Sequence, residues 1–249
     1  FLVKMGARVS YYIPERQSEG YGLNLEALEH IISDGASLVI TVDCGISSYD
    51  IVEAVCNRID IIITDHHTAP PQIPPARAVI NHKQPDCPYR DKNLSGVGVA
   101  FKLCQALWLR QCGEWYLDDL DIVALGTVAD VVPLVGENRI IVQAGLKKMN
   151  ELPNLGIDKL IDVAGLHDKT ITAGHIGFTL APRLNAAGRV THATRAVELL
   201  VTDDVDLAET IAQELQETNM ERQEIERSIH EEARANVAAQ GHLADYVTV

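Results

Sequence analysis

LVITVDCGISSYDIVEAVCNRIDIIITDHH, residues Leu38 to His67, is the stretch from which the rest of the chain is best read. Two short apolar, β-branched runs, Leu38–Val42 and Asp60–Thr64, flank a segment of helical periodicity, which predicts two strands of a parallel sheet joined by a helix. Each run ends in groups that can hold a metal: Asp43 after the first, and Asp65, His66 and His67 after the second. Ligand crevices of open parallel sheets lie at the carboxyl ends of the strands, so Asp43 and the triplet are expected side by side at one rim. An aspartate after a strand often serves only as a cap or turn former. Two adjacent histidines behind it have no such structural use. Neutral nitrogen and anionic oxygen together are the donor mixture of Mn²⁺, Mg²⁺ or Zn²⁺ sites.

The chain has 249 residues, 47% of them hydrophobic, enough to bury the core of one large or two modest domains. Low aromatic content beside abundant aliphatic residues suits packed α/β layers. Cys44, Cys56, Cys87, Cys104 and Cys112 show no C-x-x-C spacing and read as reduced, mostly buried small hydrophobes of a cytoplasmic protein. No apolar run is long enough to cross a bilayer and the first residues carry no signal-peptide pattern, which predicts an intracellular protein without membrane association. The net charge of -14 argues against a broad basic face for nucleic acid. The acids crowd the last third, however, whereas Arg16, Lys83, Arg90, Lys92, Lys102, Arg183 and Arg189 accompany the candidate site segments. Bound divalent cations would also invert the local field of the carboxylates. This balance favours a narrow phosphate-binding groove.

Before the central stretch, Phe1–Gly6 reads as the tail of a helix with Gly6 as its C-cap, and Arg8–Ile13 as a strand entering the sheet. Pro14–Asn24 is a polar loop, followed by a helix over Leu25–Asp34 and a turn at Gly35. Arg16 follows the strand end and shares the rim with Asp43. Its guanidinium suits bidentate phosphate contact, although an arginine between Glu15 and Glu19 is equally a solvated salt-bridge partner. After the central stretch a proline-rich connection, Thr68–Ala78, leads into a short strand, Ala78–Asn81, with His82 and Lys83 near the rim as turn residues or outer support.

Leu94–Ala100 places Ser95, Gly96 and Gly98 before a helix reaching about Gln111, a pattern that serves either a phosphate seat on backbone amides or close helix packing. Tyr116–Ala129 is largely helical. Asp121 near its start suits a cap or first-turn acid, while Asp130, set among Val128, Ala129, Val131 and Val132, would be costly to bury unpaired. Further helical segments are expected over Asn138–Asn150, in pieces over Leu152–Asp168, and over Thr172–Leu180. Ala181–Arg189 gathers Arg183, Asn185 and Arg189 with Pro182 and Gly188 and reads as a loop whose donors contact substrate or cap helix ends. Ala193–Leu200 is helical, and Asp206–Ala239 forms one long charged helix with a narrow apolar stripe of Ile211, Leu215, Ile225, Ile229 and Val237. A strand is expected near Tyr246–Val249.

The triplet, with VDCG (Val42–Gly45) before it and GTVADVVPL (Gly126–Leu134) after it, resembles the DHH phosphoesterase superfamily. SEGYGLN (Ser18–Asn24), LSGVGVAFKL (Leu94–Leu103) and APRLNAAGR (Ala181–Arg189) are similar to the RecJ-type single-stranded-DNA-specific exonucleases within it. The resemblance implies an α/β fold: a parallel-sheet DHH phosphoesterase lobe with helices on both faces over residues 1–135, a helical extension over 136–203, a long interdomain helix over 204–240, and the start of a second lobe over 241–249. It also implies an Asp-x-Asp motif upstream of this sequence, so that the chain is a piece with an incomplete ligand set and negligible activity alone.

By the same resemblance Asp43 bridges two ions, Mn²⁺ or Mg²⁺, in the intact enzyme, while His66 and Asp130 bind one of them. His67 lies beside the metals as a donor to the scissile phosphate, and Arg16, Ser95, Gly96, Arg183, Asn185 and Arg189 contact substrate. The implied activity is a metal-dependent 5′ to 3′ exonuclease that shortens single-stranded DNA to mononucleotides in DNA repair and recombination. It would be a cytoplasmic monomer, with single-strand-binding proteins or helicases as partners. The alternatives are a hydrolase of pyrophosphate, cyclic dinucleotides or short oligonucleotides in the same superfamily, and a metal-free scaffold or nucleic-acid-binding module.

Overall fold

The structure is a computed structural model that describes residues 1–14, 22–190 and 193–239, apart from the side chains of 187–190 and 238–239. Arg16, the side chain of Arg189, most of Ser18–Asn24 and the strand expected near Tyr246–Val249 lie outside the described residues. The central stretch forms β1 (Leu38–Val42), α2 (Tyr49–Val55) and β2 (Asp60–Thr64), preceded by α1 (Leu25–Ser33) and followed by β3 (Ala78–Ile80). The three strands form one parallel sheet in the order β1-β2-β3, with Leu38 opposite Asp60, Val42 opposite Thr64, and Thr64 opposite Ile80. The period-2 alternation of strand side chains then divides the apolar residues between two faces. Ile61, Ile63 and Val79 pack against Leu28 of α1 and Val52 and Val55 of α2. Ile80 packs on the other side with Leu94, Val99, Phe101 and Tyr116. Helices therefore cover both faces, as a parallel sheet requires.

The second face is covered by α3 (Gly96–Cys112), which Ser95 caps by accepting the Gly98 N–H. Helix α4 (Leu120–Ala129) crosses α5 (Gly136–Glu151) so closely that a Cβ at Gly145 would lie 2.2 Å from the Leu120 carbonyl oxygen. A separate core joins Leu125 and Met149 to α6 (Leu155–Val163), a π-turn over Ile176–Leu180 that follows the single turn α7 (Ala173–His175), α8 (Ala181–Val190), α9 (Ala193–Val201) and the first third of α10 (Val205–Ala239). Within α10, Ala208, Ile211, Ala212 and Leu215 are buried, whereas Ile225 and Ile229 are exposed.

Two local expectations are corrected. Arg8–Ile13 is not a strand: the residues are mostly exposed and pair with no ladder of the described sheet. Alternating apolar residues supply a face, but a strand also needs a neighbour for its N–H and C=O groups. Ala181–Arg189 is not a loop but lies in α8. A proline inside a helix lacks an N–H and presses on the carbonyl four residues back. Here the π-turn precedes it, with Ala181 N–H reaching the carbonyl of Ile176, and the wider turn makes room for the Pro182 ring. The expected cap at Gly6 is present as a turn: Ala7 N–H bonds to Leu2 and Gly6 N–H to Val3, with Gly6 at φ +84°.

Asp121 lies in the first turn of α4 and is fully buried. One carboxylate oxygen accepts from Lys148 Nζ at 2.7 Å and the other from the Asn154 N–H at 2.7 Å. It thus ties α4 to α5 and to the start of α6. Asp121→Ala is expected to lower stability by about 2–3 kcal/mol, because a buried N–H and an ammonium lose their charged acceptor. Urea unfolding followed by circular dichroism measures the loss.

Candidate metal centre

The site is built where β1 and β2 end. Asp43 N–H extends the ladder to the Thr64 carbonyl at 3.0 Å, and Asp65 N–H does the same to Ile80 at 3.1 Å. The Thr64 hydroxyl donates to the Thr41 carbonyl, and the Thr41 hydroxyl to that of Cys44. Both strand ends are thereby held level. The chain then turns sharply, with Asp43 at φ +64° and Gly45 at φ +108°. Aspartate tolerates the left-handed region better than most residues with a Cβ.

Asp65 turns inward, with its side chain 1% exposed. Its carboxylate accepts from the backbone N–H of Ile46 at 2.9 Å, of His66 at 2.7 Å and of His67 at 3.1 Å. Burial alone would raise its pKa, but these N–H groups and the His67 ring outweigh burial and hold it below the ordinary carboxylate value. Asp65 is therefore an anion and only accepts, so His67 Nδ1, 2.7 Å away, carries a proton towards it. That leaves His67 Nε2 to face outward on a side chain 62% exposed. Carboxylate partners orient imidazoles in this way at many metal sites.

His66 is buried. Its Nδ1 lies 3.2 Å from the Leu94 carbonyl, which can only accept, so the proton sits on Nδ1 and Nε2 presents a lone pair. Nε2 in turn lies 3.1 Å from Asp43 Oδ1 and 3.5 Å from Asp130 Oδ2. The contacts are off the hydrogen-bonding direction, and His66 Nε2 and Asp130 Oδ2 are both buried without a hydrogen-bond partner. The Asp43 carboxylate, assisted by Asp130, overcomes burial and raises the His66 pKa. Burial raises that of Asp130, and the charge of Asp43 adds to it. Both shifts report one deficiency: three electron-pair donors meet with too little positive charge between them. A divalent cation would supply it, and donor atoms of Asp43, His66 and His67 also lie within 4.8 Å of one another.

Gly96 leaves the space that the Asp43 carboxylate occupies. A Cβ there would lie 2.1 Å from Asp43 Oδ1 and 2.4 Å from its Cγ. Asp130 caps the C-terminus of α4 and is followed by Val131 at φ +58°, an unusual conformation for a β-branched residue.

Of the other residues expected at the site, Ser95 is fully buried and its hydroxyl is committed to Gly98 N–H and to Thr127. Arg183 is turned towards α10, with Nε on Gln216 at 2.7 Å and Nη1 on the Thr179 carbonyl. Asn185 is exposed on α8. His82 is buried beside the site with Nε2 on the Lys92 carbonyl, and burial lowers its pKa. Sequence reasoning missed Asp65 as the inward-facing organiser and Gly96 as the space for Asp43. The signals were the aspartate leading the two histidines and the first glycine of LSGVG.

Gly96→Ala is expected to displace the Asp43 carboxylate and weaken Mn²⁺ binding by about 10–100-fold, the range for loss of a supporting group around metal ligands. Calorimetric titration of folded wild-type and variant protein checks it.

Residues 1–127 match the DHH family, N-terminal domain. The chain is 44% identical over 241 residues to the single-stranded-DNA-specific exonuclease RecJ of Bacillus subtilis, covering 96% of this chain and 30% of that protein. It is 41% identical over 241 residues to that of Escherichia coli, covering 91% and 42%. It thus spans less than half the length of these curated relatives. A crystal structure of exonuclease RecJ bound to manganese superposes with a TM-score of 0.84 at 35% identity, over 92% of this chain and 58% of that one. RecJ from Thermus thermophilus in complex with Mn²⁺ superposes at 0.78 and 34% identity, over 92% and 33%. With the family match covering more than half of its residues, the chain belongs to the DHH family.

Proposed function

We propose that this chain forms the metal-holding part of a 5′ to 3′ exonuclease that hydrolyses single-stranded DNA to mononucleotides, in DNA repair and recombination. The observation that carries the reading is the convergence of His66 Nε2 with Asp43 and Asp130, both His66 Nε2 and Asp130 Oδ2 being buried without hydrogen-bond partners. The similarity to RecJ proteins, some solved with Mn²⁺ or Mg²⁺, supports the substrate and the ion. Asp43, His66 and Asp130 would hold Mn²⁺ or Mg²⁺, two ions in the intact enzyme. Such ions supply a hydroxide nucleophile and neutralise charge on the attacked phosphate.

The protein's own groups position the reaction. Leu94 holds His66 by its ring N–H so that Nε2 stays available. Asp65 holds His67 likewise, turning its Nε2 towards the scissile phosphate. With Arg183 engaged by Gln216 and Thr179, contact with the 5′-terminal phosphate falls to Arg16, aided by Arg189. Residues 1–135 would form the catalytic core, 136–203 its helical extension, and 204–240 a bridge to a second lobe beginning at 241. The setting would be the cytoplasm and the state monomeric, with single-strand-binding proteins or helicases as partners.

In the whole protein that carries this sequence, Asp43→Ala and His66→Ala are each expected to slow release of nucleotides from single-stranded DNA by at least about a hundredfold. Equal or faster turnover of pyrophosphate or cyclic dinucleotides would replace the nuclease reading with the phosphatase one, and no Mn²⁺-dependent activity on any of them would leave a binding module. Arg16→Ala is expected to cost about 1.5–3 kcal/mol in kcat/KM on 5′-phosphorylated single strand, and much less on 5′-hydroxyl strand, at fixed salt. Equal losses on both would reject end recognition.

A further inference from the structure

Asn138, in the first turn of α5, is fully buried and hydrogen-bonds to none of the metal-site residues. Its amide nitrogen donates to the Asn93 carbonyl at 2.6 Å and to the Pro133 carbonyl at 3.0 Å, while its Oδ1 has no hydrogen-bond partner. The orientation is determined: the reversed amide would set an oxygen against two carbonyl oxygens. An apolar side chain would avoid the unmet acceptor, so the two donated bonds are what the residue contributes.

Those bonds join the loops that carry the two sides of the metal centre. Asn93 precedes Leu94, whose carbonyl holds the His66 ring, and two residues further on Gly96 makes room for Asp43. Pro133 closes the short segment that starts at Asp130 and passes through Val131 at φ +58°. Asp91 strengthens the same junction, accepting the N–H of Asn93 at 3.0 Å and of Glu137 at 2.8 Å. Gly136 admits it, since a Cβ there would lie 2.3 Å from Asp91 Oδ2.

We propose that Asn138 is a positioning residue for the metal centre, bridging the Asn93 and Pro133 loops and so setting the gap between His66 and Asp130. The proposal rests on the metal reading given above, and its test separates the two. Histidine-labelled ¹⁵N NMR of the metal-free protein reads the His66 tautomer, and calorimetry reads Mn²⁺ affinity. Wild-type His66 is expected in the single Nδ1–H form. Asn138→Ala is expected to give a mixture of tautomers and to weaken Mn²⁺ binding about tenfold or more. Ile161→Val, a core change in α6 among residues remote in sequence from the site, should leave both unchanged.

An Asn138→Ala protein that keeps the wild-type tautomer and affinity overturns the proposal, as does an Ile161→Val protein that loses them equally. If Asn138→Ala does not fold, Asn138→Thr, which retains one donor, carries the test: a partial tautomer mixture with about threefold weaker Mn²⁺ binding is expected, and wild-type behaviour overturns it. Wild-type protein that binds no Mn²⁺ refutes the metal reading, while the tautomer comparison still decides the role of Asn138.

Discussion

One buried carboxylate, Asp65, holds the end of β2 in the form on which the site depends. It is turned inward from the candidate metal centre, yet it accepts four N–H groups, from Ile46, His66, the His67 backbone and the His67 ring. The Ile46 bond draws the turn after β1 against the turn after β2, so Asp43 and His66 meet from different strands. Charged hydrogen bonds of this kind compensate for a desolvation penalty that a lone buried carboxylate could not meet. The fold thus uses one acid as internal scaffolding that orients the two histidines beside it.

The backbone carries strain at the same place. Among the described non-glycine residues, positive φ occurs at Asp43 and at Val131, one a candidate ligand and the other following one. Each such conformation costs of order 1–3 kcal/mol and persists only where the surroundings impose it. Here the ladder extension at Asp43 and the loop tied to Asn138 impose it. Energy spent on these two turns aims carboxylates that a relaxed chain would direct elsewhere.

The strands β1 and β2 were legible to the residue because β-branched runs bounded by turn residues leave little choice of period. The meeting of Asp43, His66 and Asp130 was legible in part, since two of them sit at adjacent strand ends, whereas Asp130 came from a helix end and rested on resemblance. The inward turn of Asp65 could not be read, because an aspartate beside two histidines gives no sign of which groups face the pocket. Ala181–Arg189 was misread for a tertiary reason: proline and glycine favour a loop locally, but a π-turn and the packing of α8 against α10 override them. Arg8–Ile13 had strand composition without a partner strand among the described residues.

Helix α10 has a mechanical consequence. It spans 35 residues, about 52 Å at the usual rise, but it is seated through its first half, by Ala208, Ile211, Ala212, Leu215 and Asn219 and by the bonds of Arg195 to Glu214 and Arg183 to Gln216. The exposed remainder is a cantilever roughly 30 Å long by the same rise. A tilt of about 5° at its seat moves the far turns by roughly 2.5 Å over such an arm. Pointing accuracy at the far end is therefore decided by a handful of small apolar contacts and two arginines near its root.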